Sequence, residues 1–314
     1  MVRPFSQDAE VFIKIIESLH KFRTYTLKTL ESISENYIWF ADMDKMNDPF
    51  EGILLYPEYD NFESVADAEL RWTNTDHVDK FALKALRDEF ELDSKAFFSK
   101  YRKIHIENFK KESFKASSQG CFSALTEFKE MKNIDKNYRV IAKEFGAPNR
   151  INNAKLQNDE IRMWSYYGDG LRGFRITYDP KSILNLEDIE ISFIKYQDIP
   201  ETVDFGKYLW QLQFSDAQRY RAVMENKLFK VKGSVWSYEK ELRIRNHNQG
   251  PKQIPDNSIL SVTFGKKMPK IQRRIIRVLV QHKNPNANFF EANTVDSKFG
   301  IVYIPITEKD FNEE

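Results

Sequence analysis

The sequence predicts an α+β fold, with a mixed or antiparallel sheet core and a helical insertion. Helical periodicity gathers early in the chain and strand-like alternation in the last third, an order unlike the regular strand-helix repeat of a parallel sheet. From Phe62 to Ser117 apolar and charged residues alternate at helical period without a proline, which marks the insertion. The third observation is bulk. Apolar residues make up 41% of the 314 residues, including 25 Phe, 14 Tyr and 5 Trp, so a sizeable core can be buried and global disorder is disfavoured. The length admits one or two domains. The boundaries read from these patterns are 1–61 and 118–314 for the α+β core and 62–117 for the insertion.

A first amphipathic helix is predicted over Ala9 to Leu19, where Val11, Phe12, Ile15, Ile16 and Leu19 recur at helical spacing behind Asp8 as a cap. A second, short helical pattern uses Leu27, Leu30 and Ile33, and Tyr37-Ile38-Trp39-Phe40 then reads as a buried strand. Asn47-Asp48-Pro49 makes a turn, in which polar side chains satisfy backbone amides and proline fixes the bend. Gly120-Cys121-Phe122-Ser123 begins another strand. A polar, Asn-rich loop with room for one short helix follows, from Lys132 to Asn158. Asn158 caps a helix with Asp159 and Glu160 in its first turn and Ile161 and Trp164 on its buried side, ending at Gly168. Strands are predicted at Gly173 to Tyr178, Ile191 to Tyr196, Tyr238 to Arg245, Ile259 to Phe264 and Ile301 to Ile306, with helices from Asp204 to Val231 and Lys270 to His282.

Lys+Arg 48 against Asp+Glu 47 leaves a net charge of +1, which gives no global reason to expect nucleic acid or an anionic membrane as partner. The one cysteine, Cys121, cannot form an intramolecular disulfide, and the N-terminus lacks the basic and apolar run of a secretory signal. No apolar run approaches the roughly 20 residues that span a bilayer. A cytoplasmic protein with no membrane partner is expected.

Gly168-Asp169-Gly170-Leu171-Arg172-Gly173 matches the spacing of a dinucleotide-binding turn, but here a helix leads in and a strand leads out. A pyrophosphate would meet a helix C-terminus, whose partial charge repels anions, so a helix cap and turn is the reading. The five histidines, His20, His77, His105, His247 and His282, lack the close spacing of a metal site, and no metal is expected. Lys266, Lys267, Lys270, Arg273, Arg274 and Arg277 concentrate positive charge, with Ile271, Ile275, Val278 and Leu279 as the opposed apolar side. That face is either solvated or able to touch phosphates.

The segment from Trp236 to Arg245 is the most informative. Strand alternation sends Glu239, Glu241, Arg243 and Arg245 to one face and Trp236, Tyr238, Leu242 and Ile244 to the other, with Trp236 buried. The charged face is either a wet, self-neutralising strand surface or a carboxylate pair oriented by arginines for a polar substrate.

Leu19-His20-Lys21-Phe22-Arg23, Ile38-Trp39-Phe40-Ala41 with Met46-Asn47-Asp48-Pro49-Phe50-Glu51, Cys121-Phe122-Ser123, Met163-Trp164-Ser165-Tyr166-Tyr167 with Gly173-Phe174, and Trp236 to Ile244 form a set. In that order they resemble the prokaryotic family catalogued as domain of unknown function 2971, over about Leu19 to Gly265. Where His20 stands the family usually shows Tyr, and where Tyr166 stands it shows His, so no proton-shuttling role passes to that position.

A further resemblance concerns activity. The serial order Arg23, Ser123, Glu241 resembles the Arg, Ser, Glu order of ADP-ribosyltransferases, whose glutamate often lies in an E-x-E pair as Glu239-Lys240-Glu241 does here. The resemblance implies NAD as substrate, Arg23 on its phosphate or ribose oxygens, Ser123 orienting the glutamate, and Glu241 stabilising the positive charge that builds on the ribose carbon as nicotinamide leaves. Candidate substrate-binding residues are Asn47, Asp48, Glu51, Trp164, Tyr166, Tyr167 and Arg243. The acceptor, a small molecule or a macromolecule, is left open, as is a role in toxicity or defence. One alternative is a non-catalytic module binding a nucleotide or peptide in a sensing or defence system. Another is a Mg²⁺-dependent nuclease using Asp48, Glu51, Glu239 and Glu241 as oxygen ligands.

Overall fold

The structure is a computed structural model that describes residues 6–42, 62, 65–66, 80–101, 120–144, 153–199, 230–246, 248–295, 297 and 299–312. The chain divides into two compact units. The first comprises Met1–Asp42, Gln119–Ile194 and Trp236–Glu314, and the second Met43–Ser118 and Lys195–Val235. The second unit therefore takes in more than the expected 62–117 segment. Its described core is aromatic, with Phe62, Val65, Phe97 and Tyr101 buried and Phe90 and Phe98 packed against them. It includes the helix α3 (Lys80–Leu92) and the parallel strand pair β6 (Lys195–Gln197) and β7 (Val231–Gly233). Asn47, Asp48, Glu51, His77, His105, His247 and the predicted 204–231 helix lie outside the described residues, apart from the last two positions of that helix.

The first unit is α+β. In chain order it contains α1 (Ser6–Ile15), β1 (Ile16–Arg23), α2 (Leu27–Ser34), β2 (Tyr37–Asp42), β3 (Gly120–Phe128), α4 (Lys136–Glu144), α5 (Asn153–Tyr166), β4 (Phe174–Tyr178), α6 (Pro180–Leu184) and β5 (Ile189–Phe193). After the second unit's strands come a 3-10 turn (Ser234–Glu239), β8 (Glu241–Asn246), β9 (Gly250–Gln253), β10 (Ile259–Gly265), α7 (Lys270–Lys283), β11 (Asn288–Thr294), β12 (Ile301–Pro305) and α8 (Glu308–Asn312). The strands form one ten-stranded sheet in the order β12-β11-β10-β4-β1-β3-β2-β9, with β8 joining β3 and β5 joining β8. Within it, among the described residues, β10 and β11 are the pair that runs parallel, joined through α7.

The helix predicted over Ala9 to Leu19 stops at Ile15, and the chain continues as β1. Strand β1 lies between β3 and β4 and is buried on both faces, with Leu19 in one core and Phe22 in the other at 0% and 5% exposure. Such a strand shows no period-2 alternation, so its apolar residues imitate a helix pattern. Strands β9 and β11 and the short helices α6 and α8 lie where no element is predicted.

Register shows what each sheet face carries, because cross-strand partners point the same way. Leu19, Phe122, Phe174, Ile176, Val262, Phe264, Leu242 and Ile244 join one core with Phe12 of α1, Ile33 of α2, Ile183 of α6 and Ile276 and Val280 of α7. The other face carries Phe22, Leu125 and Ala292, covered by Met163 and Trp164 of α5 together with Leu171, Tyr238 and Ile301. That second face also bears a group of buried polar residues, among them His20, Arg175, Thr177, Glu241, Arg243 and Arg245.

Candidate functional site

Strand β8 opens at Glu241, where it is held on both sides. Leu125 of β3 is its cross-strand partner, and its carbonyl accepts from the amide of Ile194 at 3.2 Å. Just before it the backbone turns through Lys240 at φ +43, and the Lys240 carbonyl accepts from the amide and hydroxyl of Thr126 at 3.3 and 2.7 Å. This turn ends the alternation expected of the segment. Glu239 belongs to the 3-10 turn and not to the strand, and Trp236 and Tyr238 fall on the same side of the sheet as Glu241. Trp236, expected buried on the opposite face, is half-buried at the edge of that cluster.

The Glu241 carboxylate is 4% exposed and converges with two sequence-chosen residues. Ser123, cross-strand partner of Arg243, donates from Oγ to Glu241 Oε1 at 2.6 Å. Arg243 donates from Nε to the same oxygen at 2.9 Å, and its Nη2 lies in ion-pair contact at 2.8 Å. The pair geometry follows from β8 itself, since residues two apart share a face. With its side chain 0% exposed, Arg243 holds the glutamate and does not reach solvent as a ligand-binding arginine would. The charged face is thus neither wet nor self-neutralising at a surface: Arg245 is also buried and pairs with Glu190 of β5. Burial lowers the Arg245 pKa to about 10, which still leaves it charged at neutral pH.

Glu239, the first carboxylate of the E-x-E pair, accepts a 2.5 Å hydrogen bond from Tyr167 Oη. Tyr167 follows α5, whose end is shaped by the glycine-rich turn. The amides of Tyr167 and Gly168 both reach the Met163 carbonyl, at 2.9 and 3.1 Å, in the manner of a helix C-cap. Asp169, Gly170 and Leu171 then take successive left-handed φ values of +48, +57 and +70. The first and last of these are strained for residues with a Cβ. The glycine-rich run is therefore packing geometry, as its helix-first order predicts.

Lys21, which shares its face of β1 with Arg23, touches the Ser123 backbone from the side opposite Glu241. The β1–β3 ladder ends at His20, and beyond it the Ser123 carbonyl accepts from Lys21 Nζ at 2.6 Å. Neither Lys21 nor the Tyr167 contact stands out in the sequence, because each depends on where a ladder or helix ends in space.

Arg23 does not join this group. Phe22 packs edge-on against Trp164 at 5.1 Å on the α5 side, so Arg23, next along the strand, leaves on the opposite face beside Phe174. Its Nε is buried without a hydrogen-bond partner among the described residues, and its charge is felt by Tyr37 and Tyr178. Trp164 is 1% exposed, with its indole N–H directed to Tyr303 Oη at 3.3 Å, which makes it scaffold. Tyr166 is 69% exposed on the same helix.

A second polar group lies on this sheet face. Buried His20 meets Thr177 Oγ1 through Nδ1 at 3.1 Å, and Glu127 Oε2 and Ser18 Oγ through Nε2 at 3.1 and 3.0 Å. Burial lowers the His20 pKa to about 4, so the imidazole is neutral at physiological pH. The hydrogen bond from His20 lowers that of Glu127 to about 2. Arg175 contacts Glu160 at 3.3 Å and stacks over the Tyr303 ring at 4.3 Å. Burial raises the Glu160 pKa, opposed by Arg175. Among the described residues no group of three or more His, Cys, Asp or Glu is arranged to hold a metal ion, and no helix is long and apolar enough to cross a membrane.

Fold and site define an α+β protein with a buried glutamate at the start of a strand, oriented by a serine and an arginine. The model of a family described as protein of unknown function, DUF2971, matches residues 163–244, a span that includes Tyr167, Glu239, Glu241 and Arg243 and leaves out Arg23 and Ser123. No curated protein and no solved structure matches the chain.

Proposed function

We propose that the protein is an ADP-ribosyltransferase-like enzyme that uses NAD as substrate. The observation that supports this reading is the Ser123 hydroxyl donating to Glu241 Oε1 at 2.6 Å from the adjacent strand. A carboxylate fixed before the substrate arrives stabilises positive charge on a ribose carbon without reorganisation at the moment of reaction. Arg243 steadies that carboxylate, and Glu239, buried and tied to Tyr167, is the second carboxylate of the pair, which the reading places toward the acceptor. Because Arg23 lies on the other sheet face, the reading assigns it no contact with the ribose at Glu241.

A second reading is favoured by the 4% exposure of Glu241: the Ser123, Glu241 and Arg243 group holds β3 to β8, and the chain is a non-catalytic nucleotide- or peptide-binding module. The nuclease reading needs Asp48 and Glu51, which lie outside the described residues.

Nicotinamide release from NAD, with and without cell extract as acceptor source, separates the first two. Glu241→Gln should keep NAD binding by calorimetry and lower turnover by about 100-fold to 1,000-fold, the usual effect of losing one preorganised electrostatic contact. A wild-type chain that neither binds NAD nor releases nicotinamide excludes the transferase reading. Cleavage of nucleic acid that appears with Mg²⁺ and stops with EDTA would replace it with the nuclease.

A further inference from the structure

We propose that the outer face of α7 is a docking surface for an acidic, aliphatic protein segment, an amphipathic helix whose apolar ridge is flanked by Asp or Glu. The helix packs on the core through Ile276 and Val280, both 0% exposed. On its opposite side Ile271, Ile275 and Val278 are 61%, 38% and 68% exposed. Their spacing of four and then three residues places them in one stripe, continued by exposed His282.

The polarity of this helix is inverted relative to a solvated one. Arg273 turns inward to Glu291 and to the carbonyls of Met268 and Gly265. Arg277 reaches Glu308 at 2.8 Å and covers the Phe311 ring at 4.5 Å. The guanidinium groups expected to face water are spent on neighbouring elements, while the aliphatic residues expected to be buried hold the most outward positions. Isolated exposed aliphatic residues are ordinary, but three in line on one helix form a patch that marks an interaction site.

Charge indicates the partner. No acidic residue occurs in α7, and its first turn lacks the acid that would complement the helix dipole. Exposed Lys266, Lys267 and Lys270 instead add positive charge at its positive end. Carboxylates beside an aliphatic ridge would complement both features. A second copy with α7 set antiparallel on α7 would bring Lys270 and Arg274 toward His282 and Lys283, opposing like charges. Phosphodiester strands would desolvate the stripe without gaining an apolar contact.

The probe is a fluorescent 18-residue peptide with Leu at positions i, i+4, i+7 and i+11 and Glu on both flanks, titrated into the full chain at low salt. Saturable binding is expected. It should weaken about tenfold or more with Ile275→Glu or with Lys267→Glu combined with Lys270→Glu, while Val140→Glu, another exposed site, leaves it unchanged. Circular dichroism of the variants checks that they remain folded. The proposal is overturned if no saturable binding occurs, if a peptide with Lys in place of Glu binds as well, if light scattering shows a dimer that Ile275→Glu dissociates, or if the chain cosediments through this stripe with phosphatidylserine vesicles.

Discussion

The Glu241 carboxylate illustrates how much a single oxygen can be asked to organise. Two donors and an ion-pair contact meet at Oε1, one from each of two neighbouring strands. Removing the serine hydroxyl takes away a hydrogen bond to a charged group in a largely buried place, which is worth about 1.5 to 3 kcal/mol. Ser123→Ala should therefore lower the urea midpoint, and if the transferase reading holds it should lower turnover more than NAD affinity, since it acts on how Glu241 is held. A serine of purely structural importance would lower the midpoint alone. Tyr167→Phe removes the hydroxyl bond to Glu239 while keeping the ring, so nicotinamide release into water should change less than transfer to an acceptor, measured as the ratio of the two products.

At the scale of elements, α5 is joined to the sheet by a turn that cannot tolerate added atoms. A Cβ on Gly173 would lie 2.3 Å from the Arg23 carbonyl oxygen, and one on Gly265 would lie 2.2 Å from that of Leu171. Both neighbours are backbone and cannot rotate away. Gly173→Ala and Gly265→Ala should each destabilise by more than about 2 kcal/mol, as overpacking of a rigid contact does. Gly170 differs: its φ is +57, yet an added Cβ would meet only the end of the Arg172 side chain at 3.5 Å. Gly170→Ala should cost only the left-handed conformation, about 1 kcal/mol. Denaturant melts of the three variants that gave equal losses would show that backbone conformation, and not close packing, makes glycine necessary here.

For the whole molecule the expected weakness is acid. The neutral state of buried His20 is satisfied if Thr177 donates to Nδ1 and Nε2–H donates to Glu127. Its pKa falls from 6.5 to about 4 on folding, so its contribution is complete above pH 6.5 and is lost as the pH drops toward 4, because the unfolded chain takes up the proton first. A shift of that size corresponds to about 3 kcal/mol. Glu127 acts in the same direction lower down, from 4.5 toward about 2, weakened by solvent because its side chain is 57% exposed. Urea midpoints should stay level above pH 7 and fall between pH 6.5 and 4, and His20→Gln should flatten that fall. A midpoint that is constant from pH 7 to 4.5 in the wild type would mean that His20 is not held neutral.

Much of this architecture is local and legible in the sequence. The α+β class, strands β2, β3, β4, β8 and β10, the helices α2, α5 and α7, and the turn at Gly168 to Gly173 follow from periodicity and glycines, which report on each residue's near neighbours. The expected caps Asp8 and Asn158 instead lie inside α1 and α5, which start earlier, at Ser6 and Asn153. Glu241 and Arg243 are also legible from strand alternation and residue type, whereas Ser123 and the pairing of Glu239 with Glu241 enter through the resemblance to the Arg, Ser, Glu order. What tertiary structure alone decided is which side of the sheet each residue joins and what covers it. Strand β1 looked helical because both its faces are buried. Arg23 left the group because Phe22, one residue before it, claims the α5 side. The left-handed Lys240 moved Trp236 and Tyr238 to the face of Glu241, and α7 turned its arginines inward because Glu291 and Glu308 await them from other elements. Each of these outcomes depends on partners distant in the chain, and a one-residue change of phase in a strand reverses every facing, so no local pattern carries the information.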